Sequence, residues 1–400
     1  MKTGILAKQI VESLKQALPN RQAFTALHEP VFQGNEWDYI KECLDTGWVS
    51  SVGKFVDRFE RDIAAYTDSP YAIAVVNGTA ALHISLLLAG VEKDDEVLIP
   101  SLTFVATANA ISYCQAVPHF VDAARDTFGV DPIKLDEYLQ DIAEIRADGF
   151  TYNRKTQRRI TAVVPMHAFG HPVDLDTLMG VCERYRLVLV EDAAESLGSY
   201  YKGKHTGTYG KLAALSFNGN KIITTGGGGI ILTADEGLAK QAKHLTTTAK
   251  TPHRWAFQHD QVGYNYRLPN LNAALGCAQL EKLPHILKKK RQLAEHYKAV
   301  FSQLEGAAFV EEKEEGACNY WLNTLLLDQP DELVRDQILE FTNDAGFMTR
   351  PIWTPMHRLP MYSHCPQMDM TVTEELEHRV INIPSGSSLF SDIVSEEVTR

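Results

Sequence analysis

The sequence predicts an α/β protein with a mostly parallel, seven-stranded sheet between helices and a smaller α+β domain towards the C-terminus. Between residues 71 and 233, short apolar runs alternate with helical segments. The runs are apolar throughout, which is typical of strands that are buried on both faces of a parallel sheet. After about residue 235 longer helical patterns follow. The seven runs are residues 72–76, 96–100, 118–123, 160–165, 187–192, 213–217 and 229–233.

The elements before the sheet are predicted to be helical. Residues 1–30 combine an amphipathic helix with a linker that contains proline, and further helices are expected over 35–44 and 56–66. Trp48 lies in the loop between those two helices, where an aromatic side chain can contact a ligand. The apolar residues that recur at helical spacing in the first segment are Ile5, Leu6, Ile10, Leu14 and Leu18.

The elements after the sheet predict a second, smaller domain. Helical patterns cover Asn270–Leu283 and Leu287–Leu304, and the tail combines a strand-like run, Trp321–Leu327, with a helix over Asp331–Ala345. We therefore expect three parts. They are an N-terminal helical extension (1–30), a large cofactor-binding domain (31–280) and a small C-terminal domain (281–400).

Composition narrows the class of protein. The net charge of −12 over 400 residues argues against nucleic acid as a partner, since phosphate binding needs a concentrated basic surface. The six cysteines are scattered without a CxxC pair, which disfavours a disulfide framework or a zinc site and fits a reducing compartment. No apolar run reaches the roughly 18 residues of a membrane span, and the N-terminus does not read as a signal peptide. The expectation is a cytoplasmic protein without a metal site or a membrane segment.

Polar residues follow the strand runs, and the carboxyl ends of parallel strands meet at one edge of a sheet. Gly78, Thr79 and Ala80 open a helix after the first run, and the N-terminus of a helix can bind a phosphate group. Phe104 follows the second run and can stack on a flat ring. Taken singly, a glycine–threonine pair before a helix is more often an ordinary helix cap, and a phenylalanine at a strand end is more often an ordinary core side chain.

Two further strand ends supply an acid and an amine. Glu191 and Asp192 close the fifth run and face opposite ways in a continuing strand, so one can be structural while the other faces a site. The sixth run reaches Ser216, and Lys221 follows five residues later, just before four consecutive glycines. Partial burial between two apolar runs favours the amine of Lys221 as a nucleophile.

The combination matches the requirements of pyridoxal 5′-phosphate (PLP). This cofactor needs a phosphate cradle, a stacking ring, a carboxylate at its pyridine nitrogen and a lysine that forms a Schiff base. No GxGxxG motif, metal cluster or Ser/His/Asp order competes with this reading. The residues that would supply these groups are, in the same order, Gly78 with Thr79 and Ser216, then Phe104, Asp192 and Lys221.

With these residues in place, the chain resembles the DegT/DnrJ/EryC1/StrS family of PLP-dependent sugar aminotransferases, from about residue 32 to about residue 384. The resemblance implies the fold type I aminotransferase architecture. The motifs that carry it are Phe55–Glu60, Asn77–Leu82, Pro100–Ala110, Glu191–Ser196, Ser216–Lys221 and Gly263–Gly276. Within the family, Gly34–Gly53 and Thr349–His357 are most similar to the legionaminic-acid-type C4 aminotransferase subgroup.

The resemblance also implies roles at matching positions. Lys221 would form the Schiff base and move protons, and Asp192 would pair with the pyridine nitrogen. Ser216 and the backbone of Gly78–Ala80 would hold the phosphate, with Phe104 stacked on the ring.

Two positions concern the surroundings of the cofactor. Asn265 would contact the phosphate of the other subunit's cofactor, which implies a homodimer with shared sites. Glu195 stands where many family members have glutamine, so its role near the cofactor stays open.

The reaction implied by the resemblance is transamination at C4 of a nucleotide-linked 4-keto-6-deoxy-(N-acetyl)hexosamine, with L-glutamate as donor. UDP is the expected nucleotide, and the 4-amino sugar would serve surface polysaccharide or nonulosonic acid biosynthesis. Trp48, Arg267 and His357 are candidate substrate contacts, although a structural or solvated role is at least as frequent for such residues. The sequence leaves the nucleotide, the C4 configuration and the N-acetyl group open.

Three alternatives use the same kind of fold. A sugar dehydratase would carry histidine in place of Lys221, and a non-catalytic regulator would be expected to lose Lys221 or Asp192. An enzyme that acts only on amino acids would need a carboxylate-binding arginine in the small domain, for which Arg350 is the candidate.

Overall fold

The structure, a computed structural model, describes residues 3–19 and 22–390. Part of the predicted linker after the first helix and the last ten residues of the predicted small domain lie outside the described residues. In chain order, the strands are β1 (Tyr71–Val75), β2 (Glu96–Pro100), β3 (Val117–Val121), β4 (Ala143–Ile145), β5 (Thr151–Asn153), β6 (Arg159–Val163), β7 (Val188–Asp192), β8 (Tyr200–Tyr201), β9 (Lys204–His205), β10 (Leu212–Ser216), β11 (Gly229–Thr233), β12 (Ala307–Phe309), β13 (Gly316–Ala317), β14 (Asn323–Leu327), β15 (Arg350–Pro351) and β16 (Val380–Ile383).

The described residues also form eleven α-helices. In chain order they are α1 (Thr3–Ala17), α2 (Glu36–Thr46), α3 (Lys54–Thr67), α4 (Gly78–Leu88), α5 (Val105–Tyr113), α6 (Pro132–Ile142), α7 (Leu175–Arg184), α8 (Glu236–Thr246), α9 (Asn270–Phe301), α10 (Glu332–Asp344) and α11 (Thr371–Glu377).

The central sheet confirms the predicted α/β fold. Its main path runs β1-β11-β10-β7-β6-β2-β3, and these seven strands are the seven predicted runs. Neighbours from β10 to β3 are parallel, whereas β11 is antiparallel to both β1 and β10. The β4–β5 hairpin, which the sequence patterns did not predict, extends the sheet through β6 to nine strands.

Burial on both faces explains why the strands are apolar throughout. Along β1, Ala74 packs into a core cluster with Phe59 and Phe217, while Ile73 and Val75 pack into a second cluster on the opposite face. Successive side chains of a strand point to opposite faces, so each strand needs apolar residues at every position.

The smaller part of the chain, residues 281–390, contains the antiparallel sheet β12-β14-β16-β15. Helix α1 of the same chain packs against this sheet. In α1, Ile10 and Leu14 are fully buried and share a cluster with Tyr297 of α9 and Ile338 of α10. The predicted amphipathic helix therefore lies on the small sheet within its own chain.

Helix α9 corrects one sequence prediction. The two expected helices, Asn270–Leu283 and Leu287–Leu304, form one continuous helix of 32 residues with Pro284 inside it. Proline removes a backbone donor and normally breaks a helix, but Leu283 and Ile286 on either side are buried and keep the helix packed. The three-part division of the chain stays a prediction, and its boundary at residue 280 falls within α9.

Candidate active site

A cavity of about 660 Å³ opens at the carboxyl ends of β2, β7 and β10. The buried strands place their last residues at this edge, where the helices and loops that follow them begin. Seven of the predicted cofactor residues line it together, namely Gly78, Thr79, Phe104, Asp192, Glu195, Ser216 and Lys221.

The first turn of α4 and the end of β10 form one wall. The Asn77 side chain caps α4 by accepting the Ala80 N–H at 2.8 Å. The N–H groups of Gly78 and Thr79 lie in the first helical turn, where no intrahelical acceptor exists, so they are available to an anion. A methyl group at Gly78 would lie 2.9 Å from Ser216 Cβ, so glycine allows this close approach.

Asp192 closes the inner end of the cavity. It is 3% exposed and ends β7, with Oδ2 accepting the Thr107 hydroxyl at 2.7 Å and Oδ1 accepting the Ala194 N–H at 3.2 Å. Burial raises the pKa of Asp192, and these hydrogen bonds offset the shift in part. No arginine or lysine pairs directly with this carboxylate among the described residues, so it can receive a protonated nitrogen.

Lys221 lies between an acid and an aromatic face. Its Nζ is 3.1 Å from Glu195 Oε1 and 4.1 Å from the centroid of the Trp321 ring. Glu195 Oε2 accepts the backbone N–H of Phe169 at 2.9 Å. Burial raises the pKa of Glu195, while the charge of Lys221 lowers it in part.

Glu191 has the structural role that one of the two adjacent acids was expected to have. It is fully buried and accepts His167 Nε2 at 3.1 Å together with backbone N–H groups of Gly207, Tyr209 and Gly210. Burial raises the pKa of Glu191, but the hydrogen bonds and the charge of His167 outweigh it, so the pKa is lowered overall. His167 is thereby part of the support of the sheet and does not line the cavity.

Several cavity residues were missed or weighed only as alternatives. Trp321, Arg350 and Trp353 reach the cavity from the smaller part of the chain. Trp353 stacks on Phe169 with ring centroids 4.9 Å apart, which closes one side of the cavity. The segment Thr349–His357, quoted above for its family resemblance, was the available signal for Arg350 and Trp353.

The three candidate substrate contacts do not line this cavity within one chain. Trp48 is 58% exposed and lies beside a separate cavity. Arg267 donates to the side chain of Asn265 at 2.8 Å, and Asn265 is also outside the cavity. His357 lies behind it, with Nδ1 2.8 Å from Ser101 Oγ, and burial lowers the pKa of His357.

The residues present fit PLP. The first turn of α4 with Ser216 offers donors for the phosphate, and Phe104, 52% exposed at the cavity, presents an uncovered ring for stacking. Asp192 presents a buried carboxylate that forms no ion pair with any residue the structure describes, and Lys221 lies in the same cavity. Ala80 contributes its N–H to the cap and not to the cavity wall.

Other site types are not evident in the part of the chain that the structure describes. Residues 3–19 and 22–390 contain no group of three His, Cys, Asp or Glu side chains arranged for a metal ion. Within the same ranges, no helix is both long and apolar enough to cross a membrane.

Comparisons with known proteins agree with this site. Residues 31–399 match the DegT/DnrJ/EryC1/StrS aminotransferase family. The chain is 36% identical over 373 residues to GDP-perosamine synthase of Vibrio cholerae, which covers 92% of this chain and 96% of that protein. GDP-perosamine synthase of Escherichia coli O157:H7 is 36% identical over 371 residues, covering 93% and 96%. The solved structure of the aminotransferase TlmJ from Streptoalloteichus hindustanus has a TM-score of 0.82 at 26% identity, covering 92% of this chain and 94% of that one.

The family match extends over nearly the whole chain and includes every motif that carried the resemblance. The chain therefore belongs to the DegT/DnrJ/EryC1/StrS aminotransferase family and is a PLP-dependent sugar aminotransferase.

Proposed function

We propose that this enzyme transfers the amino group of L-glutamate to C4 of a nucleotide-linked 4-keto-6-deoxyhexose. The observation that carries the proposal is the cavity that holds Lys221, Asp192 and the donors of α4 together. The C4 position is supported by the relatives that are named GDP-perosamine synthases.

The cavity residues have different roles in the proposed reaction. When bound, PLP supplies the electron-withdrawing ring that stabilises negative charge beside the reacting amine. Asp192 holds a proton at the pyridine nitrogen, and its burial strengthens that pairing. Lys221 Nζ takes the proton from Cα of the donor and delivers a proton to C4 of the sugar in the second half-reaction.

Two acceptors follow from different observations. The segments Gly34–Gly53 and Thr349–His357 resemble the legionaminic-acid-type subgroup and favour a UDP-linked, N-acetylated acceptor for nonulosonic acid or surface polysaccharide biosynthesis. The relatives that are 36% identical favour a GDP-linked acceptor as the second candidate. We keep the UDP-linked sugar as the primary proposal.

The experiment supplies PLP, ¹⁵N-labelled L-glutamate and, in separate reactions, a UDP-linked and a GDP-linked 4-keto-6-deoxy sugar. Mass spectrometry is expected to find one ¹⁵N in the UDP-linked product and none with Lys221→Ala. Labelling of the GDP-linked sugar alone would show that the acceptor carries GDP instead of UDP and would leave the proposed reaction unchanged. Labelling of neither sugar would contradict the proposed acceptor class.

We further propose a homodimer in which Asn265 of one subunit reaches the site of the other. Asn265 is exposed and lies outside the cavity of its own chain, as such a role requires. The proposed cytoplasmic location is supported by six buried cysteines that form no disulfide.

The alternatives fit the site less well. Lys221 and Asp192 lie in one cavity, which argues against the dehydratase and the non-catalytic regulator. Arg350 lines the cavity, so an arginine is available for the carboxylate of the amino donor, and its presence alone does not favour an enzyme restricted to amino acids.

A further inference from the structure

Trp321 contacts Lys221 and the residue before it, Asn220. The indole face lies 4.1 Å from Lys221 Nζ, and the indole N–H donates to the backbone carbonyl of Asn220 at 2.7 Å. An aromatic face near a cation stabilises the charged form. The second contact fixes the ring against the loop that carries Lys221.

The backbone before Trp321 is held in an unusual conformation. Tyr320 has a φ of 48°, in the left-handed region that is unfavourable for an aromatic residue. The Trp321 N–H donates to Asn319 Oδ1 at 2.7 Å, and Asn319 Nδ2 donates to the carbonyls of Glu195 and Leu197 at 2.9 Å. The turn is therefore bonded to the loop of Glu195, the acid that pairs with Lys221.

Lys290 also contacts this turn, residues 319–321, through the carbonyl of Trp321. It is fully buried in α9, and its Nζ donates to the carbonyls of Trp321 at 3.1 Å and Ser385 at 2.6 Å. Within residues 3–19 and 22–390, no carboxylate lies at ion-pair distance from this amine. Burial of a lysine amine without a charged partner is costly, and the hydrogen bonds to the two carbonyls offset that cost in part.

The surroundings of Lys290 bear on its charge. Burial lowers its pKa to about 7, and the nearby Cys318 thiol opposes that shift. His28 also faces it, and burial together with the charge of Lys290 lowers the pKa of His28. Burial at this position therefore opposes the positive charge of Lys290.

We propose that Trp321 is a positioning residue for Lys221, and that the buried amine of Lys290 holds Trp321 in place from the smaller part of the chain. The chain of contacts runs from Lys290 Nζ to the Trp321 carbonyl and from the indole to Lys221. This inference rests on the proposed role of Lys221 as the cofactor lysine.

The test measures how the visible absorption band of the PLP-loaded protein titrates with pH, alongside kcat and KM. Trp321→Leu removes the aromatic face, and the band midpoint is expected to fall by about one pH unit, since the cationic nitrogen loses its stabilising neighbour. Trp321→Phe keeps a ring without the N–H and is expected to shift the midpoint in the same direction by less. An unchanged midpoint in Trp321→Leu would overturn the inference whatever Lys290 does.

Lys290→Met gives the sharper result because the two explanations predict opposite signs. If Lys290 acts through Trp321, the midpoint falls and kcat decreases several-fold while KM changes little. If Lys290 acts only as a nearby positive charge, its removal raises the midpoint. The matched control is Lys288→Met, the same change at an exposed position of the same helix, which is expected to leave the midpoint unchanged.

A double variant checks that the two residues act in series. Trp321→Phe with Lys290→Met is expected to shift the midpoint no further than the larger single shift, because both remove one contact chain. A shift equal to the sum of the two would overturn the proposed link. Circular dichroism and the unfolding temperature report whether each variant is folded.

Borohydride reduction followed by peptide mass spectrometry separates this inference from the proposed function. The pyridoxyl group is expected on Lys221 in the wild type and in every variant. A label elsewhere would overturn the proposed function. A label on Lys221 with unmoved midpoints would overturn only the positioning of Lys221 by Trp321 and Lys290.

Discussion

At the scale of single residues, three neighbouring acids differ in the direction of their pKa shifts because they have different hydrogen-bond partners. Glu191 is surrounded by donors, and its pKa is lowered although burial acts to raise it. Asp192 and Glu195 have fewer donors, and burial raises the pKa of each. Glu191 therefore has its hydrogen-bond partners within the protein, whereas a cation beside Asp192 would favour its carboxylate form.

Asp192 predicts a pH-dependent stability of the PLP-free protein. Because its pKa is raised by folding, the folded state favours the protonated acid, and stability is lost as pH rises above the ordinary range of a carboxyl group. Asp192→Asn is expected to remove that loss. Thermal unfolding of both PLP-free proteins between pH 4 and pH 8 would show a smaller decline for the variant. Parallel curves would indicate that Asp192 has no raised pKa.

Glu195 predicts a second effect at the same amine. Its carboxylate is 3.1 Å from Lys221 Nζ and favours positive charge there. In Glu195→Gln, the pH midpoint of the PLP absorption band is expected to fall by about 1–3 pH units, since an opposite charge at this distance has an effect of that size. Glu144→Gln, a change of an acid in β4 that pairs with Arg146 and does not line the cavity, is the control. A midpoint that does not move would exclude a charged Glu195 in the loaded enzyme.

At the scale of elements, the close approach of α4 to β10 forms the expected phosphate cradle. Gly78→Ala places a methyl group 2.9 Å from Ser216 Cβ and forces the two elements apart. The dissociation constant of PLP is expected to rise about tenfold or more, measured by titration of the PLP-free protein. Gly180→Ala, in α7 with nothing within 4 Å of the added methyl group, is expected to leave it unchanged. Equal affinities in both variants would contradict the assignment of this cradle.

The same scale shows why some elements could be predicted and others could not. The seven main strands were predictable because burial on both faces leaves uninterrupted apolar runs in the sequence. The β4–β5 hairpin lies at an edge and leaves no such run. The continuity of α9 through Pro284 depends on packing around Leu283 and Ile286, which local propensity does not report.

The site residues that could be predicted from the sequence are those at or just after the ends of the central strands. Asp192 and Ser216 end strands, and Lys221 follows the end of β10, so the convergence of strand ends was enough to bring them together. Trp321 and Arg350 reach the cavity only through the packing of the smaller part against the sheet, more than 90 residues further along the chain. The position of His357 against Ser101 could not be predicted from the sequence for the same reason, since it is a contact between distant segments.

At the scale of the whole molecule, the proposed shared site predicts complementation between inactive chains. Lys221→Ala removes the amine and Asn265→Ala removes the proposed contact across the dimer. In a mixed dimer one site carries both changes and the other carries neither. Co-expression is expected to restore about one quarter of wild-type activity if subunits associate at random.

The control for this experiment is Lys221→Ala co-expressed with the Lys221→Ala/Asn265→Ala chain, where no intact site can form. Activity no higher than that control, from mixed dimers confirmed by mass spectrometry, would place Asn265 in the site of its own chain. Wild-type activity of the Asn265→Ala chain expressed alone would place Asn265 outside both sites.

The most direct test of the central claim is the visible spectrum of the purified, PLP-loaded protein. The absorption band of PLP bound at Lys221 is expected to bleach on addition of L-glutamate and to return on addition of the UDP-linked 4-keto-6-deoxy sugar. Lys221→Ala should not show this cycle of bleaching and recovery. Absence of any PLP band in the wild type supplied with PLP, or a band that L-glutamate leaves unchanged, would contradict a glutamate-dependent aminotransferase at this cavity.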